Sequence, residues 1–502
     1  MFRICFGVAV VFVAANACAQ VSSIPGATAV APKAGTLFVY PERVALKDKG
    51  MFACQRGLLF VPVNRTTEDS DVIAVEFYRF PRFGIADSET PPIFMLNGGP
   101  GFPGLEPDLN EPGTLEKRFF HLLNVSDVIV VGQRGIGSSK PNTVVEQYDE
   151  SGSHEAYDDA RAVAEFQKSL SRERQFWINQ GLDLSGFNVL ECAADVHDLA
   201  TALGIEKVTL YGGSFGSHWA MAIMRTYPDL VARSVLSGLE GPDHTWDHPG
   251  WIWNVYKRVA AEAEAAESLK GLIPEGGLIA AVESLVEEAG ENPREVTLFR
   301  GRRNEATAII DRRAMQYVAR GISRRLKDWP AEVIQMSNGN FANAAVATLM
   351  RKKKDPRSFK TASYWALDSS SGISQRRRSE IESDPATAIL GNINWSYAAG
   401  SPVWKVDLGD DFRKNTETKI PTVIVHGTWD TQTPYENALE LALYFKEHKF
   451  VTVERGSHGA INEAQALVPG FRRSLLHFIE SGDSSRLPDK ITLPAPRWTV
   501  PK

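Results

Sequence analysis

Tyr211-Gly212-Gly213-Ser214-Phe215-Gly216-Ser217 is the stretch whose reading decides the fold. An apolar strand-like run, residues 207–210, leads into it, and a helical pattern, residues 218–225, leads out. A Gly-x-Ser-x-Gly turn between strand and helix holds its serine in a strained conformation with the hydroxyl presented outward. Its glycines keep Cβ atoms out of a crowded bend. Ser214 is the candidate nucleophile, and the rest of the chain must supply its partners.

Outward from this turn the pattern is α/β. Residues 57–63 and 71–80 read as strands, the second alternating. Residues 92–96 and 127–131 are short continuous apolar runs, as expected of central parallel strands covered on both faces. Each ends in glycines, Asn97-Gly98-Gly99-Pro100-Gly101 and Gly132-Gln133-Arg134-Gly135-Ile136-Gly137. Ligand-binding loops of open α/β sheets lie at such carboxyl ends. Residues 189–203 read as a helix and 231–237 as a strand.

Beyond about Glu240 the character changes to Ala- and Glu-rich helical stretches, such as 259–269 and 278–289. Alternation resumes with a strand at 420–426, a helix at 435–448, a strand at 450–453 and a final helix at 463–481. A proline-rich tail from Arg486 reads as extended on the surface. The organisation expected is a leader at 1–19, a core at 20–240, a helical cap inserted at 241–405 and the rest of the core at 406–502.

The leader reading rests on Arg3, an apolar run at 4–15 too short to span a bilayer, and Ala17-Cys18-Ala19 as a small-x-small cleavage site. Export follows from it, with acylation at Cys18 as the alternative. Only Cys54 and Cys192 of the four cysteines lie beyond this leader. In an oxidising compartment they could form one disulfide, or they are two buried thiols. Asn64, Asn124 and Asn394 open Asn-x-Ser/Thr sequences, which matter only in a glycosylating host.

With 43% hydrophobic residues the 502-residue chain can bury a large core, and a net charge of −6 gives no bulk attraction for nucleic acid. The basic runs at 351–354 and 376–378 read as solvated helix faces. No cofactor is expected, because Gly132–Gly137 is neither a Walker loop nor a dinucleotide fingerprint. Asp243-His244-Thr245-Trp246-Asp247-His248 has two histidines at helical spacing but no third well-placed ligand. A cap hinge or cleft rim is the preferred reading over a metal site.

A serine hydroxyl needs a base, and histidine with a carboxylate fixing its tautomer suits the task. The required order after the elbow is acid, then base, each on a loop following a late strand. The strand ending at His426 runs into Gly427-Thr428-Trp429-Asp430-Thr431-Gln432-Thr433-Pro434, and the strand ending at Val453 into Gly456-Ser457-His458-Gly459. Asp430 and His458 are thus the expected acid and base, with His426 the nearest rival base. The oxyanion donors expected are the N–H groups of Phe215 and of Gly99, with Gly98 second.

Together these blocks resemble the α/β-hydrolase serine exopeptidases, the group containing proline iminopeptidases and exported tripeptidyl aminopeptidases. The resemblance rests on residues 97–101, Gly132-Gln133-Arg134-Gly135-x-Gly137-x-Ser139, 212–217, 427–434 and 456–459, with Cys54 and residues 58–63 similar to the entry of the exported members. It implies an α/β-hydrolase fold, a Ser214–Asp430–His458 triad and release of residues from a free peptide N-terminus through an acyl-enzyme. Asn97 stands where iminopeptidases carry His, and Gly132 where the Gln-Arg-Gly motif usually has Asp before it. Substrate-ammonium carboxylates belong near the cap, and Glu240 and Asp243 are the candidates. A carboxylesterase using the same triad is the alternative function, and a catalytically silent binding protein the third. The partner expected is a peptide or small acyl substrate.

Overall fold

The computed structural model describes residues 32–501, apart from 48–49, 85–88, 103, 106–112, 144–158, 323–324 and 354–361. The expected leader 1–19 and Cys18 lie outside the described residues, as does Lys354 of the first basic run. Twelve strands run through the described chain. They are β1 (Leu37–Leu46), β2 (Gly50–Pro62), β3 (Val72–Phe80), β4 (Ile93–Leu96), β5 (Val128–Val131), β6 (Val208–Ser214), β7 (Val231–Leu239), β8 (Arg294–Leu298), β9 (Ala306–Ile310), β10 (Thr422–Gly427), β11 (His448–Glu454) and β12 (Lys490–Thr492).

Ten of them make one sheet in the order β1-β2-β3-β5-β4-β6-β7-β10-β11-β12. The pairings of β1, β2, β3 and β5 are antiparallel, and from β5 to β12 all are parallel. The central strands are buried along their whole length, which is why β4 and β5 read as unbroken apolar runs. Their side chains still alternate. Phe94, Leu96, Ile129 and Val131 enter one apolar cluster, with Phe215 and Trp219 of the helix Phe215–Thr226. Ile93, Met95, Val128 and Val130 enter the other, with Phe119 and Phe120 and the C-terminal Phe471, Leu475 and Phe478.

This two-faced sheet settles the cysteines. Cys54, on β2, belongs to the second cluster, and Cys192, on the helix Val189–Ala202, to the first. The sheet lies between them, and both are free buried thiols. Of the two readings that the sequence left open, a disulfide or two buried thiols, the structure has the second. Burial pushes each thiol up to about 12, so neither is a reactive thiolate.

Between β7 and β10 the chain leaves the sheet. Helices dominate there, joined by one antiparallel β8–β9 hairpin that the sequence did not suggest. A third apolar cluster forms within this segment, around Trp253, Tyr256, Leu285, Trp329 and Val333, and it includes Trp429 from the core. Two of its helices, Ala362–Ser371 and Trp395–Trp404, pack instead against the first core cluster.

Three local readings change. The helix expected at 463–481 is two, Ala460–Leu467 and Phe471–Ser481, broken where Pro469-Gly470 cannot continue a helix and Gly470 takes φ +83°. The helix expected at 435–448 ends at Ala442. The tail adds β12 to the sheet edge, Trp498 lies 6.0 Å from Trp429, and Thr499 Oγ1 donates to Asp328. No helix among the described residues is long and apolar enough to cross a membrane.

Candidate active site

Parallel register brings the carboxyl ends of five strands to one edge. Leu96 pairs with Gly212, Ser214 with Leu239, and Gly427 with Val453. The loops that follow therefore meet at Ser214.

Ser214 ends β6 and opens the helix Phe215–Thr226 at φ 57° and ψ −134°, a conformation costly for any residue with a Cβ. Its side chain makes no capping bond, so the hydroxyl is not spent on the helix. Packing explains the flanking glycines. A Cβ on Gly212 would lie 2.4 Å from the Gly216 carbonyl oxygen, and one on Gly216 would lie 2.2 Å from that of Leu96.

The loop after β4 closes over this turn. A Cβ on Gly98 would stand 3.1 Å from the Ser214 Cβ and 3.7 Å from its Oγ, so Gly98 makes the closest approach. Gln133 clamps the loop from behind. Its Nε2 donates to the carbonyls of Asn97 and Gly98, each at 3.1 Å, and its Oε1 accepts from the Gly101 N–H at 2.8 Å. In a planar trans peptide the N–H points opposite the carbonyl, so the Gly99 N–H is turned away from Gln133. Asn97 itself is tied to the Gly104 carbonyl at 2.8 Å and to Arg118.

Asp430 and His458 come together as expected. His458 Nδ1 lies 2.8 Å from Asp430 Oδ2 and 3.0 Å from Oδ1. Asp430 also accepts from the N–H groups of Gln432 (2.9 Å) and Thr433 (3.0 Å) and from Thr433 Oγ1 (2.8 Å). Burial alone would raise this carboxyl, but the His458 hydrogen bond and charge hold it below its ordinary value. Burial would lower His458, whereas the Asp430 hydrogen bond, the Asp430 charge and then the Asp247 charge raise it. A Cβ on Gly238 would lie 3.0 Å from His458 Cε1, and the next residue, Leu239, is the register partner of Ser214. The imidazole thus stands beside the elbow.

The two loops are stitched to each other by Trp429 N–H to the Gly456 carbonyl (2.9 Å) and Arg455 N–H to Thr428 Oγ1 (3.0 Å). His426, the rival base, is fully buried with Nδ1 4.0 Å from Asp430. Burial lowers it to about 4, so it stays neutral.

The two acidic candidates separate. Asp243 accepts from the N–H (2.7 Å) and Oγ (2.5 Å) of Ser374, the N-cap of the helix Gln375–Ser383. It ties down a helix start, and this corrects its expected place at the substrate. Glu240 is buried directly behind the elbow, its N–H donating to Ser217 Oγ at 3.0 Å while that hydroxyl lies 2.7 Å from the Ser214 carbonyl. Burial first, then Asp368 and Asp247, push its carboxyl well above the ordinary value.

Asp247 and Asp368 complete an acidic group that sequence reading missed. Burial, with Asp368 and Asp430 adding and Arg377 opposing, brings Asp247 to about 7. Asn394 grips its backbone with two 2.8 Å bonds. Tyr397 donates to Asp368 at 2.6 Å, and Tyr364 reaches the glycine loop, where a Cβ on Gly101 would lie 3.1 Å from its ring. Asp247 had a signal in the 243–248 stretch, misdirected by its histidines. Asp368, alone within a distant helix, had none.

His244 and His248 do not share a helix face. His248 is the N-cap of the helix Pro249–Glu264, and the two rings turn to different carboxylates, Glu440 (3.3 Å) and Asp384 (3.2 Å). Among the described residues no group of three ligating side chains could hold a metal. The basic run 376–378 is not one solvated face, because Arg377 is fully buried 4.8 Å above the Trp251 ring. The side-chain amides of Asn64 and Asn394 are buried and committed to hydrogen bonds, leaving Asn124 the exposed one.

Residues 91–265 match the α/β-hydrolase fold family model, and residues 393–482 match that of TAP-like proteins. The serine protease Hip1 of Mycobacterium tuberculosis is 30% identical over 202 residues, 37% of this chain and 36% of that protein. The match thus spans about a third of the mycobacterial relative's own length. A proline iminopeptidase of Neisseria meningitidis serogroup A is 23% identical over 77% of this chain and 90% of its own.

Proposed function

We propose that this chain, which has the α/β-hydrolase fold, is an exported serine aminopeptidase. Ser214 Oγ attacks the acyl carbon of a substrate's N-terminal portion while His458 Nε2 takes its proton. Asp430 holds the tautomer and stabilises the imidazolium. The N–H groups of Phe215 and Gly99 receive the oxyanion, each worth about 3–4 kcal/mol at the transition state. His458 returns the proton to the leaving amine, and water then releases the acyl group from Ser214.

One observation carries the aminopeptidase reading. Glu240, Asp247 and Asp368 crowd together beside the elbow and the His458–Asp430 pair. Arg377 offsets only part of the rise at Asp247, and a substrate's terminal ammonium adds positive charge to the group next to the attacked carbonyl. An ester substrate would leave the group unused. The names of the relatives, serine protease and proline iminopeptidase, agree with peptide chemistry. The leader-like residues 1–19 support export.

Peptide anilides with free and with acetylated N-termini, assayed beside p-nitrophenyl butyrate, test the proposal. Cleavage of the free-amine anilide, lost on acetylation and abolished in Ser214→Ala, is expected. Turnover of the ester alone would assign a carboxylesterase instead.

A further inference from the structure

A buried histidine outside the triad sits on the nucleophile's own helix. His218, one turn after Ser214, packs its ring against those of Phe215 (centroids 5.7 Å apart) and Phe412 (5.6 Å). Both of its ring nitrogens are committed. Nδ1 lies 3.0 Å from the Gly241 carbonyl oxygen, and Nε2 lies 2.9 Å from Ser371 Oγ. Burial lowers this imidazole to about 4, so near neutral pH it carries a single proton. A carbonyl only accepts, which places that proton on Nδ1 and leaves Nε2 to accept from the Ser371 hydroxyl. The ring thus ties two segments to one helix, each through a bond of defined direction.

Those two segments carry the acidic group. Gly241 directly follows Glu240, whose own N–H is held at 3.0 Å by Ser217 Oγ, from the residue before His218. Ser371 ends the helix Ala362–Ser371, and Asp368 lies three residues earlier, about one turn away on the same side. Tyr364, a further turn back, reaches Gly101 of the glycine loop. Arg413 Nε holds the Ser371 carbonyl at 2.8 Å, so this helix end keeps a cap when the hydroxyl is removed. Recognition of an ammonium beside an attacked carbonyl needs the carboxyls and the nucleophile at a fixed separation. His218 links all three.

We propose that His218 is a positioning residue for substrate recognition: from the helix that carries Ser214 it holds the Glu240 strand end and the Asp368 helix at the spacing that engages a substrate's ammonium and carbonyl together. The inference rests on the proposed activity, in which those carboxyls receive the ammonium.

Two variants remove the same bond from opposite ends. Ser371→Ala deletes the hydroxyl, and His218→Asn loses the reach to Ser371 while its amide keeps a donor where Nδ1–H stood. Steady-state kinetics on the free-amine anilide and on p-nitrophenyl butyrate reads them. Each variant should raise KM for the free-amine anilide about tenfold, with kcat and ester turnover changing less than about threefold. The double variant should fall no further than either single one, because all three lack one and the same bond. An unchanged KM in both single variants, additive losses in the double, or anilide and ester rates falling in step would overturn the proposal. If His218→Asn does not fold, the KM measured in Ser371→Ala decides. A wild type that cleaves free and acetylated anilides alike would instead remove the aminopeptidase reading and this proposal with it, so the two failures are told apart.

Discussion

At the residue scale the site is a set of side chains and glycines each held by a nameable constraint. Ser214 keeps its strained φ because Gly212 and Gly216 leave no Cβ to block the turn, and this much was legible in the sequence, since steric need writes itself as glycine. Asp430 and His458 were legible because each lies on the loop that follows a late strand. Asp243 misled because a carboxylate that caps a helix and one that meets a substrate look alike in sequence, and only the position of Ser374 separates them. Glu173 shows a cost that sequence does not reveal at all. Its carboxyl is buried, with Oε1 lacking a partner, and is raised from 4.5 to about 8. The folded state therefore binds this proton more tightly than the unfolded chain. Its contribution to stability is complete below the ordinary carboxyl pKa and is lost as pH rises through about 8. Glu173→Gln should accordingly be more stable than the wild type by about 1–3 kcal/mol at pH 9, with the difference shrinking toward pH 4. Denaturant unfolding across that pH range measures it.

At the element scale the short buried strands were readable because two covered faces demand continuous apolar sequence. Helix ends were less so. The break at Pro469-Gly470 follows from proline and glycine chemistry, but an apolar period carried across both helices hid it. The glycine loop after β4 was legible as a loop, whereas its clamp was not. Gln133 binds it at three backbone groups from the end of β5. Gln133→Ala should leave the fold intact while loosening the Gly99 donor. A fall in kcat of about 10²-fold is expected, with KM nearly unchanged, as when an oxyanion donor is lost. A rise in KM at constant kcat would place Gln133 in substrate binding instead.

At the scale of the whole molecule, distant segments converge on one loop. The inserted helices, the acid loop and the tail share a cluster in which Trp429, beside Asp430, meets Trp498. Arg455 fastens the tail by donating to the Leu493 carbonyl and to Glu262. Such convergence is long-range and leaves no local pattern, which is why the tail read only as an extended surface segment. Truncation after Leu493 should lower kcat several-fold and the melting temperature by a few degrees, since the Trp498–Trp429 contact and the Thr499–Asp328 bond are lost together. Differential scanning calorimetry with steady-state kinetics checks both.

The convergence also placed Glu240, Asp247 and Asp368, drawn from a strand end, a connecting loop and a helix far along the chain, around the nucleophile. The proposed activity depends on that assembly. Its most direct test is the ratio of kcat/KM for a free-amine peptide anilide to that for its N-acetylated form, measured in the wild type and in Glu240→Gln/Asp247→Asn. A ratio of about 10² or more in the wild type is predicted, collapsing toward unity in the double variant while ester turnover persists. A ratio near unity in the wild type, or a high ratio that survives both substitutions, would contradict the account.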